Sequence, residues 1–250
     1  QDAGSDAFNI AIGHQAGKSV TTGVGNSIVG GAAADALTTG SYNVAMGAFA
    51  LSVEDTGNRS IAIGYAALEN QNNNADNYNI AIGHNAGKMI STGIQNTLIG
   101  GLAGDAINTA NNNIAIGYLA LTTETSGSNN IAIGVTALQQ SNGGSYNIAI
   151  GRDAGQSVTT GVNNTLIGGS AGDAINTGSN NVAVGSNTLS SDDAGGRNVA
   201  IGTNALTNQN GGTLNVYNIG IGYNAGAAIT GAIQTTLIGG LAGDAITTGE

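Results

Sequence analysis

No cysteine, proline or tryptophan occurs in the 250 residues, and only 8% of them are charged. Without cysteine there is neither a disulfide framework nor a thiolate metal site. Five Lys and Arg stand against fifteen Asp and Glu, a net charge of -10. Nucleic acid is bound through an excess of basic side chains, so this balance argues against it as a partner, and also against a helix lying on an anionic membrane. No apolar run approaches the ~18 residues of a membrane span. Aromatic residues, at 4%, are too few for a conventional globular core. No signal peptide is visible and the chain begins with Gln1, which reads as a mature chain or a fragment.

What the chain does have is glycine, 43 of them, and a pentapeptide written many times. Glycine at that level usually accompanies disorder, but here Ile and Val recur with a strict period. Asn113-Ile114-Ala115-Ile116-Gly117 is the type form, with close variants ending at Gly13, Gly47, Gly64, Gly83, Gly134, Gly151, Gly185, Gly202 and Gly222. A sister form, Asn96-Thr97-Leu98-Ile99-Gly100, recurs at Gly30, Gly168 and Gly239. Successive repeat glycines are 17 residues apart, except for 19 from Gly64 to Gly83 and 20 from Gly202 to Gly222. Fourteen such units predict an all-β fold, a parallel β-solenoid (β-roll) with one coil per unit, running through residues 1–250 as a single repeat domain. At ~4.8 Å per coil the rod would be about 65 Å long.

Columns follow from the period. The residues one and three before the repeat glycine are Ile or Val in most units and alternate with a small residue, the period of a strand. This predicts that the Ile pair fills the coil. Three after the glycine comes Ala in nearly every unit, at a corner too tight for more. A second apolar anchor lies four after it in six units (Leu51, Leu68, Leu121, Leu138, Leu189, Leu206) and seven after it in the other eight (Val20, Leu37, Ile90, Ile107, Val158, Ile175, Ile229, Ile246). The two versions alternate in pairs, which predicts two cross-sections and a four-coil super-repeat. A further glycine ten after, as Gly23, Gly40, Gly93, Gly161 and Gly249, is expected to take a positive φ.

Asn stands four before the repeat glycine as Asn9, Asn26, Asn43, Asn79, Asn96, Asn113, Asn130, Asn147, Asn164, Asn181, Asn198 and Asn218. Stacked coils would set these amides above one another as a structural hydrogen-bonded ladder. Two before the glycine the residue is Ala, as Ala11, Ala81, Ala115 and Ala149, or in the sister units Ile28, Leu98, Leu166 and Leu237. Opposite an inward Ile pair this column would face outward. A smooth apolar strip of that kind is expected to be buried between copies of the chain, a homo-oligomer interface.

The run Asn130-Ile131-Ala132-Ile133-Gly134, followed by Ala137-Leu138, resembles the repeat in the head domains of trimeric autotransporter adhesins. The resemblance extends over all fourteen units and implies a left-handed β-roll, assembly as a trimer and a role in surface attachment. The chain departs from that family in its longer period and its four-coil super-repeat, and it shows no neck, coiled-coil stalk or membrane anchor. Similar Ile-Gly repeats occur in phage tail-fibre proteins. The resulting expectation is a non-enzymatic structural or adhesive fibre, extracellular or on a cell surface, with a bacteriophage tail fibre on the virion as the alternative. The receptor, a cell surface or a glycan, is not readable from a repeat.

No catalytic constellation, metal set or cofactor motif is found. His14 and His84 are one super-repeat apart, ~19 Å on a stacked coil, too far to share a metal. Asp35, Asp105, Asp173 and Asp244 have the same spacing. The full Gly-x-x-x-x-Gly-Lys-Ser/Thr phosphate loop is absent, as is the Gly-Gly-x-Gly-x-Asp calcium repeat. Thr-Thr-Gly turns such as Thr38-Thr39 raise an ice-binding solenoid, but Glu54-Asp55 and Gln71-Asn72 break the array. A polysaccharide-acting solenoid would need clustered acids or a basic cleft. Residues 1–8 read as a turn before a unit, because Phe8 stands where Tyr42 and Tyr78 stand, and the last residues stop at a turn; subunits stacked end to end or a longer native chain are expected.

Overall fold

The computed structural model describes residues 7–210, 212 and 215–248. The turn expected at residues 1–8, apart from Ala7 and Phe8, and the turn glycine Gly249 lie outside them. Fourteen three-residue strands recur at the 17-residue period as a parallel β-solenoid, and among the described residues there is no helix. The chain divides into two compact units, Gln1–Ser126 and Gly127–Glu250. The first holds β1 (Ile10–Ile12), β2 (Ser27–Val29), β3 (Val44–Met46), β4 (Ile61–Ile63), β5 (Ile80–Ile82), β6 (Thr97–Ile99) and β7 (Ile114–Ile116). The second holds β8 (Ile131–Ile133), β9 (Ile148–Ile150), β10 (Thr165–Ile167), β11 (Val182–Val184), β12 (Val199–Ile201), β13 (Ile219–Ile221) and β14 (Thr236–Ile238). Within each unit every strand pairs in parallel with the next in the chain, equivalent residues side by side, as Ile80↔Thr97 and Thr97↔Ile114.

The strands are inverted relative to the sequence expectation. The middle residue points inward: Ile28, Ala45, Ala62, Ala81, Leu98 and Ala115 are fully buried, as are Ala132, Ala149, Leu166, Ala183 and Ala200. The flanking Ile and Val residues are half-buried or exposed, in the pattern intermediate–buried–intermediate or intermediate–buried–exposed. The reason is parity. Side chains two apart share a face of a strand, so the inner face of the middle residue is also that of the Asn two before it. Asn26, Asn43, Asn79 and Asn96 are buried. A polar side chain that must be bonded takes the interior, and the Ile pair is left outside.

Small middle residues suit an interior already occupied from the other wall. In coils with Ala in the strand, Leu51, Leu68, Leu121 and Leu138 fill the centre. Where the strand carries Leu98, the wall retreats to glycine. A Cβ on Gly104 would lie 2.8 Å from Leu98 Cδ2, and one on Gly87 2.7 Å from Leu98 Cδ1. Leu166 stands in the same relation to Gly155 and Gly172, at 2.7 Å each. The super-repeat is therefore an exchange of volume between two walls of a close-packed interior, where an added methyl has no room. Coil-to-coil approach is also close at the repeat glycines: a Cβ on Gly47, whose φ is +135°, would stand 2.3 Å from the Gly64 carbonyl oxygen. The turn glycines ten after do not have the positive φ expected of them. At Gly40 the requirement is proximity instead, since a Cβ there would meet the Gly57 carbonyl at 2.4 Å. Positive φ falls on non-glycine corners such as Ala32, Leu51 and Tyr42.

Candidate functional site

Six of the eight residues expected to form an oligomer interface cannot reach one. Ile28, Leu98, Leu166, Ala81, Ala115 and Ala149 are sealed inside a single chain. Ala11 and Leu237 belong to the first and last strands, which have a neighbouring coil on one side only, and are exposed and half-buried respectively. The apolar strip exists, but on the opposite face of the same strands. One outward column in the first unit reads Ile12, Val29, Met46, Ile63, Ile82, Ile99, Ile116; the other reads Ile10, Ser27, Val44, Ile61, Ile80, Thr97, Ile114. The second unit repeats the arrangement, with Thr165 and Thr236 where the first has Ser27 and Thr97. No charged side chain occurs in any of these columns. Neighbours at ~4.8 Å above and below cover the flanks of each side chain, and the tips remain in water. In the first unit Ile10, Ile12, Met46 and Ile82 are exposed and the other outward residues are half-buried, a contiguous and largely apolar face of the kind that marks an interaction surface.

Both ends of the strands are edged by stacked rings. The Arg59 guanidinium lies 5.7 Å from the Tyr42 ring and 5.8 Å from the Tyr78 ring, and it also pairs with Asp76. Tyr65 stacks on His84 at 5.4 Å and meets Phe49 edge-on at 5.9 Å. Tyr65 and His84 turn their faces to one another, Phe49 meets Tyr65 at an edge-to-face angle, and the Arg59 guanidinium contacts both the Tyr42 and Tyr78 rings, which extends the side-chain ladder beyond the strand. His14 and His84 are exposed. Asp35 pairs with Lys18 at 2.8 Å, Asp105 accepts the Thr122 hydroxyl, and Asp244 is exposed. Asp173 is half-buried with one carboxylate oxygen unpartnered; burial, with the charge of Asp153 as a lesser cause, holds its carboxyl above the usual range. Among the described residues no three His, Asp or Glu side chains are grouped to hold a metal ion.

The asparagines form a ladder whose bonds run mainly to backbone. Asn26 Oδ1 accepts the Asn43 backbone N–H at 2.9 Å and Asn26 Nδ2 donates to the Gly40 carbonyl at 2.9 Å. Asn43, Asn79, Asn147, Asn164 and Asn181 repeat both bonds to the next coil. Amide-to-amide contacts occur as additions, from Asn96 to Asn79 at 3.2 Å and from Asn164 to Asn147 at 3.1 Å. Each asparagine thus ties the start of a strand to the turn that precedes the next one.

A second interior polar feature was missed in the sequence. Where Leu fills the centre from the position four after the glycine, the position seven after is polar: Glu54, Gln71, Glu124, Ser141, Asp192 and Gln209, all fully buried. Glu54 Oε1 accepts the backbone N–H groups of Gly57 at 2.8 Å and Asp55 at 3.1 Å; its Oε2 accepts from Gln71 at 2.9 Å and Asn77 at 3.2 Å. Desolvation outweighs these bonds and lifts the Glu54 carboxyl above the ordinary range. Asp192 plays the same part in the second unit, accepting from Gly195 at 2.8 Å and Asn198 at 3.1 Å. The sequence signal was present, since a polar residue, an acid or amide in five of the six cases, accompanies Leu three residues earlier. The first threonine of the Thr-Thr-Gly turns is engaged within the chain: Thr38 and Thr159 donate to Asp55 and Asn176 of the next coil.

Fold and surface together define a repeat protein of the parallel β-solenoid class, with a bonded interior and an apolar outer face. No protein-family model, curated protein or solved structure matches the chain.

Proposed function

We propose that the chain is a non-enzymatic structural module of an extracellular surface-attachment fibre, on a cell or a virion, and that it works as a homo-oligomer, in keeping with the trimer implied by the adhesin resemblance. The observation that carries this reading is the outward face. A module working alone in water would be expected to place Thr, Lys or Glu on a half-exposed strand face; this one places Ile and Val there in coil after coil. Burying such a face against copies of itself leaves the corners and turns, with their Tyr, Asn and Thr residues, to contact a receptor. An interior consumed by asparagine ladders and buried carboxylates gives each coil the stiffness that a spacer needs.

Light scattering on the native chain and on an Ile63→Lys/Ile82→Lys variant tests the proposal. Several chains per particle are expected for the native protein and a single chain for the variant, with unchanged circular dichroism. A native protein that is monomeric at micromolar concentration overturns the reading.

A further inference from the structure

The outward face has one interruption that the fold does not require. In the column starting Ile10, every residue of the first unit is Ile or Val except Ser27 and Thr97, four coils apart; in the second unit the exceptions are Thr165 and Thr236, again four coils apart. Thr has the shape and strand preference of Val, so neither rung spacing nor local propensity calls for the hydroxyl. The volume exchange at the same rungs concerns Leu98 and Leu166, which point the other way. Nor are these hydroxyls used internally: among the described residues none of the four makes a side-chain hydrogen bond, although Ser27, Thr97 and Thr165 are half-buried.

We propose that Ser27 and Thr97, with Thr165 and Thr236 in the second unit, are register keys through which parallel copies of this chain align coil to coil, hydroxyl rung against hydroxyl rung. This inference rests on the self-association proposed above. An unbroken Ile ladder repeating at ~4.8 Å is degenerate. Sliding one copy by a single coil gives up only one rung of contact and still sets Ile against Ile. Hydroxyls remove the degeneracy, because any such slip buries an O–H against a hydrocarbon side chain with no acceptor. A slip of four coils matches hydroxyls again but gives up four rungs of contact where a slip of one gives up one. The occupant is therefore another copy of this chain, since a partner must carry both the coil spacing and hydroxyls at four-coil intervals.

The absence of native cysteine makes the register directly readable. Ile63→Cys and Ile82→Cys, on neighbouring coils of the uninterrupted column, are prepared separately, co-assembled and oxidised, and the linked species are counted by mass spectrometry. With native hydroxyls, disulfides joining two copies of the same variant are expected to exceed mixed disulfides, which join an Ile63→Cys chain to an Ile82→Cys chain, at least tenfold. Replacing Ser27, Thr97, Thr165 and Thr236 by Val is expected to bring mixed links to parity, and replacing the three threonines by Ser is expected to keep register. Mixed links at parity in the native background, or register kept in the Val variant, overturn the key role while the assembly stands. A monomeric mass, or a multichain mass without links at either position, overturns the assembly face itself.

Discussion

Gln71 Nε2 donates to Glu54 Oε2 across 2.9 Å from the neighbouring coil, and both side chains are fully buried. The pair takes the place of the apolar anchors Ile90 and Ile107 in coils whose centre is already filled by Leu51 and Leu68. A carboxylate there serves the turn beneath it, gathering N–H groups that would otherwise be orphaned.

Glu54→Ala should therefore cost more than the loss of one contact. The Gly57 and Asp55 N–H groups and the Gln71 amide lose their acceptor in a place water does not reach, for about 3 kcal/mol or more. Glu54→Gln, which keeps one acceptor oxygen but presents N–H to donors at the other, should fall between. Urea midpoints of the three proteins check the ranking, and a Glu54→Ala midpoint equal to native contradicts it.

Volume exchange between the walls is testable as a double-mutant cycle. Gly104→Ala sets a methyl 2.8 Å from Leu98 Cδ2 and should cost about 1–3 kcal/mol as overpacking. Leu98→Ala opens a cavity and should cost about 2–5 kcal/mol. Combining them should cost less than the sum by roughly 0.5 kcal/mol or more, because the added methyl enters the space the leucine left. Additive values would mean that the two walls do not share that space. The positive φ of +56° at Gly104 is not the deciding cost, since Ala34 and Leu121 hold similar angles at the same offset.

Asn96→Ala removes the acceptor of the Asn113 N–H and the donor to the Ala110 carbonyl, at 3.0 and 2.9 Å, both within a buried seam. A loss of about 2–4 kcal/mol is expected. Hydrogen exchange should then accelerate at the Asn113 amide before it does at strand amides of distant coils; uniform acceleration would show that coils do not open separately.

The pH dependence carries a definite sign. Asp173 is held above its ordinary value by burial, so the folded state binds the proton more tightly than the unfolded chain does. Its contribution is most favourable below the ordinary Asp range and is lost as pH rises through the raised value, staying lost above it. Asp173→Asn should stabilise the protein at neutral pH, by less than about 1 kcal/mol for a half-exposed group. The advantage should close as the solution is acidified through the carboxylate range. Midpoints at several pH values read this, and a difference that grows on acidification has the wrong sign.

The period, the parallel stacking of like on like and the four-coil super-repeat were legible because each depends only on spacing along the chain. So was the stacking of asparagine on asparagine, which needs nothing beyond a stacked neighbour, but not its place inside the coil. Which face of the strand lies inside was not decided by Ile-Ala-Ile itself, since both faces of that tripeptide are apolar and a strand alternates with a period of two. The tertiary structure decided it through two constraints that come from elsewhere in the coil. Asn, on the same side as Ala, must be inside to be bonded, and Leu51 or Leu121, entering from the opposite wall, leaves room only for a methyl. The same competition for one interior volume set glycine beside Leu98 and a carboxylate beside Leu51. Spacing determined the coil; the filling of its cross-section, which depends on contacts between residues distant in the repeat, determined the surface it presents.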